Sequence, residues 1–219
     1  MMNFLKRIKT AVFNFLDKTE ESDDETLLQD IDAVRFVVLD TETTGFDYIN
    51  DRILCIGALV LQNNTINIQD SFEIFIEQEH YDKSTAKIHG ILKEWIVSRP
   101  SELEALQQFL VFLGDSIIIA HHTYFDITMI NNALERNGLP KLKNKTLDTA
   151  VLYKKTLIKS YLLERKDTYT LDELADKFDI SKKDRHTAIG DAYITAIAFL
   201  KILSKLKEEK EITLKQLFK

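Results

Sequence analysis

Residues 37–47 read VVLDTETTGFD. The run opens with β-branched and apolar residues, as a buried strand does, and ends with Asp40 and Glu42 two positions apart, ahead of Thr43-Thr44-Gly45. In an extended strand residues i and i+2 point to the same side, so both carboxylates project together from one strand end. Two like charges that close repel unless a cation or a shared proton lies between them. Whatever fold this strand enters must supply one or the other.

The chain has 219 residues, enough for one domain with a sizeable core and a short appendage. Its single cysteine, Cys55, excludes an internal disulfide framework and a cysteine-based zinc site. That usage predicts a reducing, cytoplasmic setting. No apolar run approaches the roughly 20 residues that span a bilayer, so no integral membrane segment is expected. The net charge of −6 is unevenly spread. Residues 17–25 (DKTEESDDE) carry six acids and one lysine, whereas 141–166 carry eight lysines and arginines against Asp148 and Glu164. That basic run reads either as a solvated face or as a patch contacting a nucleic-acid backbone.

Residues 3–16 place Phe4, Leu5, Ile8, Val12, Phe15 and Leu16 at helical spacing between basic residues. This segment is expected to lie on a membrane surface, dock on a partner or a second copy, or pack on its own domain. It lacks the uninterrupted apolar core and small-residue cleavage site of a signal peptide. The organisation predicted is an amphipathic helix plus acidic linker over 1–31, a main domain over 32–209 and a C-terminal tail over 210–219. Within the domain, RFVVLD, RILCIGALVLQ and TINIQDSFEIFI read as strands, the last two joined by a tight turn at Asn63-Asn64. Helices are expected at 84–97 and 101–113, a short strand at 116–121, a helix through about Asn137, then helices at 148–158, 170–178 and 187–209. Thr170 with Glu173 three residues on predicts a capping box. Strands first, then strands alternating with helices, indicate a mixed α/β sheet.

Two further acids stand out. Asp126 closely follows the strand 116–121 and reads either as a helix cap or as a functional group. Asp191 opens a helix whose next dozen residues are almost all apolar, where an ionised carboxylate is costly unless compensated. Asp172, Asp176 and Asp184 read as caps or surface charges. Asp40, Glu42, Asp126 and Asp191 are hard oxygen ligands without clustered histidine or cysteine, which favours Mg²⁺ or Mn²⁺ over zinc. Four carboxylates suffice for two such ions with a phosphodiester between them. His186 lies five residues before Asp191 and reaches the same site if it sits in the loop or first turn leading into the helix. A histidine there is suited to accept a proton at neutral pH.

With these residues in place, the chain resembles the DEDDh-type 3′→5′ exonucleases, the family containing the proofreading subunit of bacterial replicative polymerases. FVVLDTETTGF, AHHTYFDI and RHTAIGDA carry the resemblance, in that order, supported by KIHGI, TLDTAVLYK and YTLDELADKFDI. It covers about residues 34–203 and implies an RNase H-like fold, a central mixed five-stranded sheet flanked by helices. It implies that Asp40, Glu42, Asp126 and Asp191 hold two divalent cations, with His186 as general base. Thr43, Gly45, Phe46, His89 and Phe125 would lie along the terminal nucleotide. His122 stands where many relatives carry asparagine and joins that set as an altered contact; His121 reads as structural. The activity implied is release of nucleoside 5′-monophosphates from single-stranded or frayed 3′ ends, DNA favoured over RNA, in replication proofreading or repair. RNA trimming and a catalytically silent adaptor are the competing readings. Gln216-Leu217-Phe218 resembles the short peptides that dock on sliding clamps, which makes a clamp or a polymerase a further partner to consider.

Overall fold

The computed structural model describes residues 30–79, 86–87, 89–91, 98–157, 166–209 and 211–219. The helix expected over 3–16, the acidic linker and most of the helix expected at 84–97 lie outside them. After a 3₁₀ turn at Ile31–Ala33 come β1 (Phe36–Thr43), β2 (Ile53–Gln62) and β3 (Thr65–Phe75). Then α1 (Glu102–Leu113), β4 (Ile117–Ala120), α2 (Tyr124–Arg136), β5 (Thr146–Asp148) and α3 (Thr149–Lys155) alternate. The chain finishes with α4 (Leu171–Phe178), α5 (Ala188–Glu209) and α6 (Leu214–Leu217). The five strands form one mixed sheet in the order β3-β2-β1-β4-β5. The first three are antiparallel neighbours, and β4 and β5 run parallel to β1 and to each other.

The apolar run at the start of β1 follows from its central place. Phe36 and Val38 pack into one core with α3 to α6, whereas Val37 and Leu39 pack into a second with α1 and α2. A strand covered on both faces needs apolar residues at every position, not at alternate ones. At the β2–β3 turn Asn63 and Asn64 take positive φ values of 52° and 55°. Asparagine tolerates that conformation, which matches the twist of the flanking strands. The capping box of α4 forms as expected: the Thr170 hydroxyl accepts from the Glu173 N–H, and the Glu173 carboxylate accepts from the Thr170 N–H.

The helix read over 148–158 is found as α3, and the three-residue strand β5 just before it went unread because so short a strand carries no periodic signal. One expectation is corrected. Residues 211–219 are not a detached tail. Ile212, Leu214 and Leu217 are buried in the α3–α6 core, and Lys155 Nζ donates to the Leu217 carbonyl at 3.0 Å. With Leu217 only 3% exposed, the Gln216-Leu217-Phe218 segment is folded into the domain and does not present a docking peptide.

One position in β2 governs where α5 sits. Gly57 pairs directly with Asp40, and a Cβ there would overlap the backbone of Ala188 and Ile189. The missing side chain lets the start of α5 rest on the sheet beside the end of β1. We expect Gly57→Ala to cost about 1–3 kcal/mol by overpacking, read by urea unfolding. It should displace the start of α5 from the sheet, which amide exchange in residues 188–192 would report.

Candidate active site

β1 outruns its parallel neighbour. It pairs with β4 only through Val38, while Asp40, Thr41 and Glu42 pair with Gly57, Ile56 and Cys55 of β2. Asp40 and Glu42 continue the Phe36–Val38 series and so face α5, whose first turn carries Asp191. Asp40, Glu42 and Asp191 each present an oxygen to one space, all within 4.8 Å of one another. Asp126 reaches the same strand end from α2. Its Oδ1 accepts from the Thr41 N–H at 3.0 Å and the Thr41 hydroxyl at 2.7 Å, on the side of β1 that β4 leaves unpaired. The cap reading of Asp126 is thereby corrected: Thr123 is the N-cap of α2, and the Asp126 carboxylate, 3% exposed, ties α2 to β1.

The turn at 184–187 completes the cluster. Gly190 in the first turn of α5 allows close approach of the Asp184 carbonyl, which a Cβ would block. His186 takes φ +64°, and its backbone N–H donates to Asp191 Oδ1 at 3.3 Å. His186 is exposed and lies in the loop leading into α5. Arg185 donates from Nε and Nη2 to the two oxygens of Asp172 on α4, at 2.8 and 3.2 Å, and from Nη1 to Asp191 Oδ2. Asp172 is therefore not a plain surface charge, and Arg185 is a site residue that the sequence reading missed. An arginine adjoining a motif with an excess of buried acid was the available signal.

Electrostatics follow from this crowding. Burial, then the charges of Asp126, Asp191 and Glu42, push the Asp40 carboxyl well above the usual range. Burial and Asp191 raise Glu42 to about 7, and burial raises Asp126 to about 7 despite its hydrogen bonds from Thr41. Asp191 is raised by burial and pulled back by Arg185. Arg185 is one positive charge beside four crowded carboxyl groups, so ionising all four leaves an excess of negative charge. Hard oxygen donors in that state fit a divalent cation.

The nucleotide-contact candidates divide. Phe46 is 80% exposed, with its ring centroid 5.8 Å from that of Phe125; Tyr48 lies 5.7 Å from Phe125 and 5.9 Å from Tyr124. The two tyrosines extend a surface that sequence reading limited to the phenylalanines. The loop beneath is self-bonded: Arg52 Nη1 donates to the carbonyls of Ile49, Asn50 and Asp51, and Asp47 Oδ1 accepts from the Ile49 N–H. The Thr43 hydroxyl donates to the Gly45 carbonyl at 2.7 Å, turning this loop out of β1. His89 is buried; its Nδ1 accepts from the Ile91 N–H, and its Nε2 has no hydrogen-bond partner among the described residues. His122 is exposed at φ +58°, with Nε2 3.3 Å from the Thr168 hydroxyl. His121 is structural: Nε2 donates to the Tyr169 carbonyl, Nδ1 faces the Thr149 hydroxyl, and burial lowers its pKa to about 4. The basic run does not form one free face. Lys141 pairs with Glu135, Lys166 with Glu173, and Lys154 and Lys155 donate to backbone carbonyls. Lys159 and Arg165 lie outside the described residues.

The raised carboxyls predict a pH signature without metal. Glu42 rises from 4.5 to about 7 on folding. The folded state therefore binds its proton more tightly, and the stability this gives below about pH 4.5 is lost as pH climbs through 7. In EDTA, Glu42→Gln should match the parent near about pH 5 and melt above it at about pH 8. A melting difference that does not change with pH would refute the repulsive cluster.

Comparison with known proteins agrees with this architecture. Residues 37–199 match the family described as exonuclease, RNase_T. The chain is 36% identical over 174 residues to a DNA polymerase III PolC-type protein of Caldanaerobacter subterraneus subsp. tengcongensis, and 33% identical over 174 residues to that of Thermotoga maritima. Each alignment covers 79% of this chain and 12% of the relative, so the chain spans about an eighth of those proteins. Among solved structures, E. coli exonuclease I in complex with a dT13 oligonucleotide superposes with a TM-score of 0.68 at 15% identity, over 80% of this chain and 42% of that one. Cell-death related nuclease 4 gives 0.67 at 14% identity, over 79% and 64%. These likenesses are of fold, and they match the expected RNase H-like exonuclease sheet. Across most of its described core, the chain belongs to the exonuclease family.

Proposed function

We propose that this chain is a DEDDh-type 3′→5′ exonuclease that hydrolyses the terminal phosphodiester of DNA and releases nucleoside 5′-monophosphates, in replication proofreading or repair. The observation that carries the reading is the meeting of Asp40, Glu42 and Asp191 oxygens within 4.8 Å at an open strand end where Asp126 is also anchored. Asp40, Glu42, Asp126 and Asp191 are the residues to hold two divalent cations, Mg²⁺ or Mn²⁺. Such cations polarise the phosphoryl group and make water a competent nucleophile at neutral pH. The likeness to PolC-type DNA polymerases favours DNA over RNA as substrate and a polymerase as partner.

The remaining chemistry belongs to the protein. A bond forms between a water oxygen and phosphorus as the bond from phosphorus to the 3′ oxygen of the preceding nucleotide breaks, and that oxygen takes a proton from solvent to leave a 3′-hydroxyl. His186, an exposed residue whose backbone N–H bonds Asp191, accepts the proton that the water gives up. Phe46 and Phe125, backed by Tyr48 and Tyr124, offer ring surface on which the terminal base stacks. Thr43, Gly45, His89 and His122 are the further candidates for contact with sugar or phosphate oxygens.

A time course on 5′-labelled DNA and RNA, in Mg²⁺, Mn²⁺ or EDTA, tests the reading. Metal-dependent shortening from the 3′ end, faster on DNA, is expected, and Asp40→Ala should abolish it with the fold retained. His186→Ala should slow cleavage by roughly 10²–10⁴-fold. Equal rates for His186→Ala and the parent would remove the histidine from the mechanism, and faster cleavage of RNA would move the assignment to RNA trimming.

A further inference from the structure

Both oxygens of Asp191 are already engaged. Oδ1 accepts from the His186 backbone N–H, a donor fixed by the turn, and Oδ2 accepts from Arg185 Nη1. Arg185 is not a loose surface cation. It grips both oxygens of Asp172 on α4, so its guanidinium is oriented before it meets Asp191. Of the described arginines and lysines, it alone forms an ion pair with one of the four clustered carboxylates. A second cation on this loop, Lys182, pairs with Asp176 and leaves the cluster alone.

We propose that Arg185 is a positioning residue that stands in for divalent cation charge: held by Asp172, it keeps Asp191 turned into the cluster and yields the Asp191 oxygen when the ion binds. The inference rests on the metal-dependent reading above. Its consequence is that metal affinity is deliberately moderated. The ion must displace a charge-assisted hydrogen bond before it gains Asp191 as a ligand, and removal of that bond tightens the site. The same contact supports the metal-free fold, since it sets a positive charge against Asp191 within the crowded acids.

The test is titration of the full chain with Mn²⁺ by calorimetry, beside melting in EDTA, for the parent, Arg185→Gln, Arg185→Lys and Lys182→Ala. Arg185→Gln should melt lower than the parent in EDTA yet bind Mn²⁺ about tenfold more tightly, the loss of one charge-assisted hydrogen bond. The gain should persist at about 0.5 M KCl, where the Debye length falls to roughly 4–5 Å and effects of distant charge are screened. Arg185→Lys should fall between the two, which also covers poor folding of the glutamine variant. Lys182→Ala should bind as the parent does. Unchanged or weaker Mn²⁺ binding in both Arg185 variants, with the parent binding normally, would overturn the role of Arg185. A parent that binds no Mn²⁺ would instead overturn the metal reading beneath it.

Discussion

Confinement of like charge at the end of one buried strand organises this molecule. Asp40 and Glu42 cannot separate, because the pleat fixes both on the face that α5 covers. Asp191 joins them because Gly57 removes the side chain that would hold α5 away. Asp126 joins from the other side, because the N–H of Thr41 has no strand partner once β4 has ended. Each acid is therefore placed by a backbone feature whose own stability comes from the two apolar cores. The cores supply the free energy that holds the charges together, and the charges define what the strand end is able to bind.

Much of this was legible in the sequence, for reasons that can be named. β1 and β2 are long apolar runs, the Asn63-Asn64 turn has a conformational preference of its own, and α5 shows an apolar face over six turns. The acids were legible through conflict: Asp191 on an apolar helix and two carboxylates in strand register both demand compensation. Features that depend on contacts distant in sequence were not. Asp126 meets Thr41 across 85 residues, and nothing local distinguishes that from a helix cap. Arg185 and Asp172 are 13 residues apart on different elements, so their pairing exists only in the folded chain. β5 and α6, three and four residues long, fall below the length at which periodicity is informative.

The site also separates two uses of buried polarity. His121, bonded at both nitrogens and kept neutral by burial, locks β4 to the segment before α4 and has no remaining capacity. His186, one turn from Asp191 and open to solvent, has its backbone committed and its ring free. Two histidines of one chain thus differ in role through what surrounds them. In the proposed reaction, the histidine that the fold leaves exposed near the acids is the one assigned to proton transfer.

For an enzyme of the proposed kind, the largely self-bonded loop at 44–52 would bear on selectivity. Three of its carbonyls accept from Arg52 and three of its N–H groups donate to Asp47 or Asp51, while Asn132 of α2 donates to the Tyr48 carbonyl, so Phe46 is carried on a scaffold already ordered. A rigid aromatic ledge loses little entropy on engagement and meets any base through its π-face. Such a surface has no means of reading base identity. For an enzyme of the proposed kind, discrimination would then lie in the duplex: an end is taken in proportion to how readily it lifts away from its complement. Mispaired termini would be sorted by their own instability, and the protein would serve as a fixed gauge against which fraying is measured.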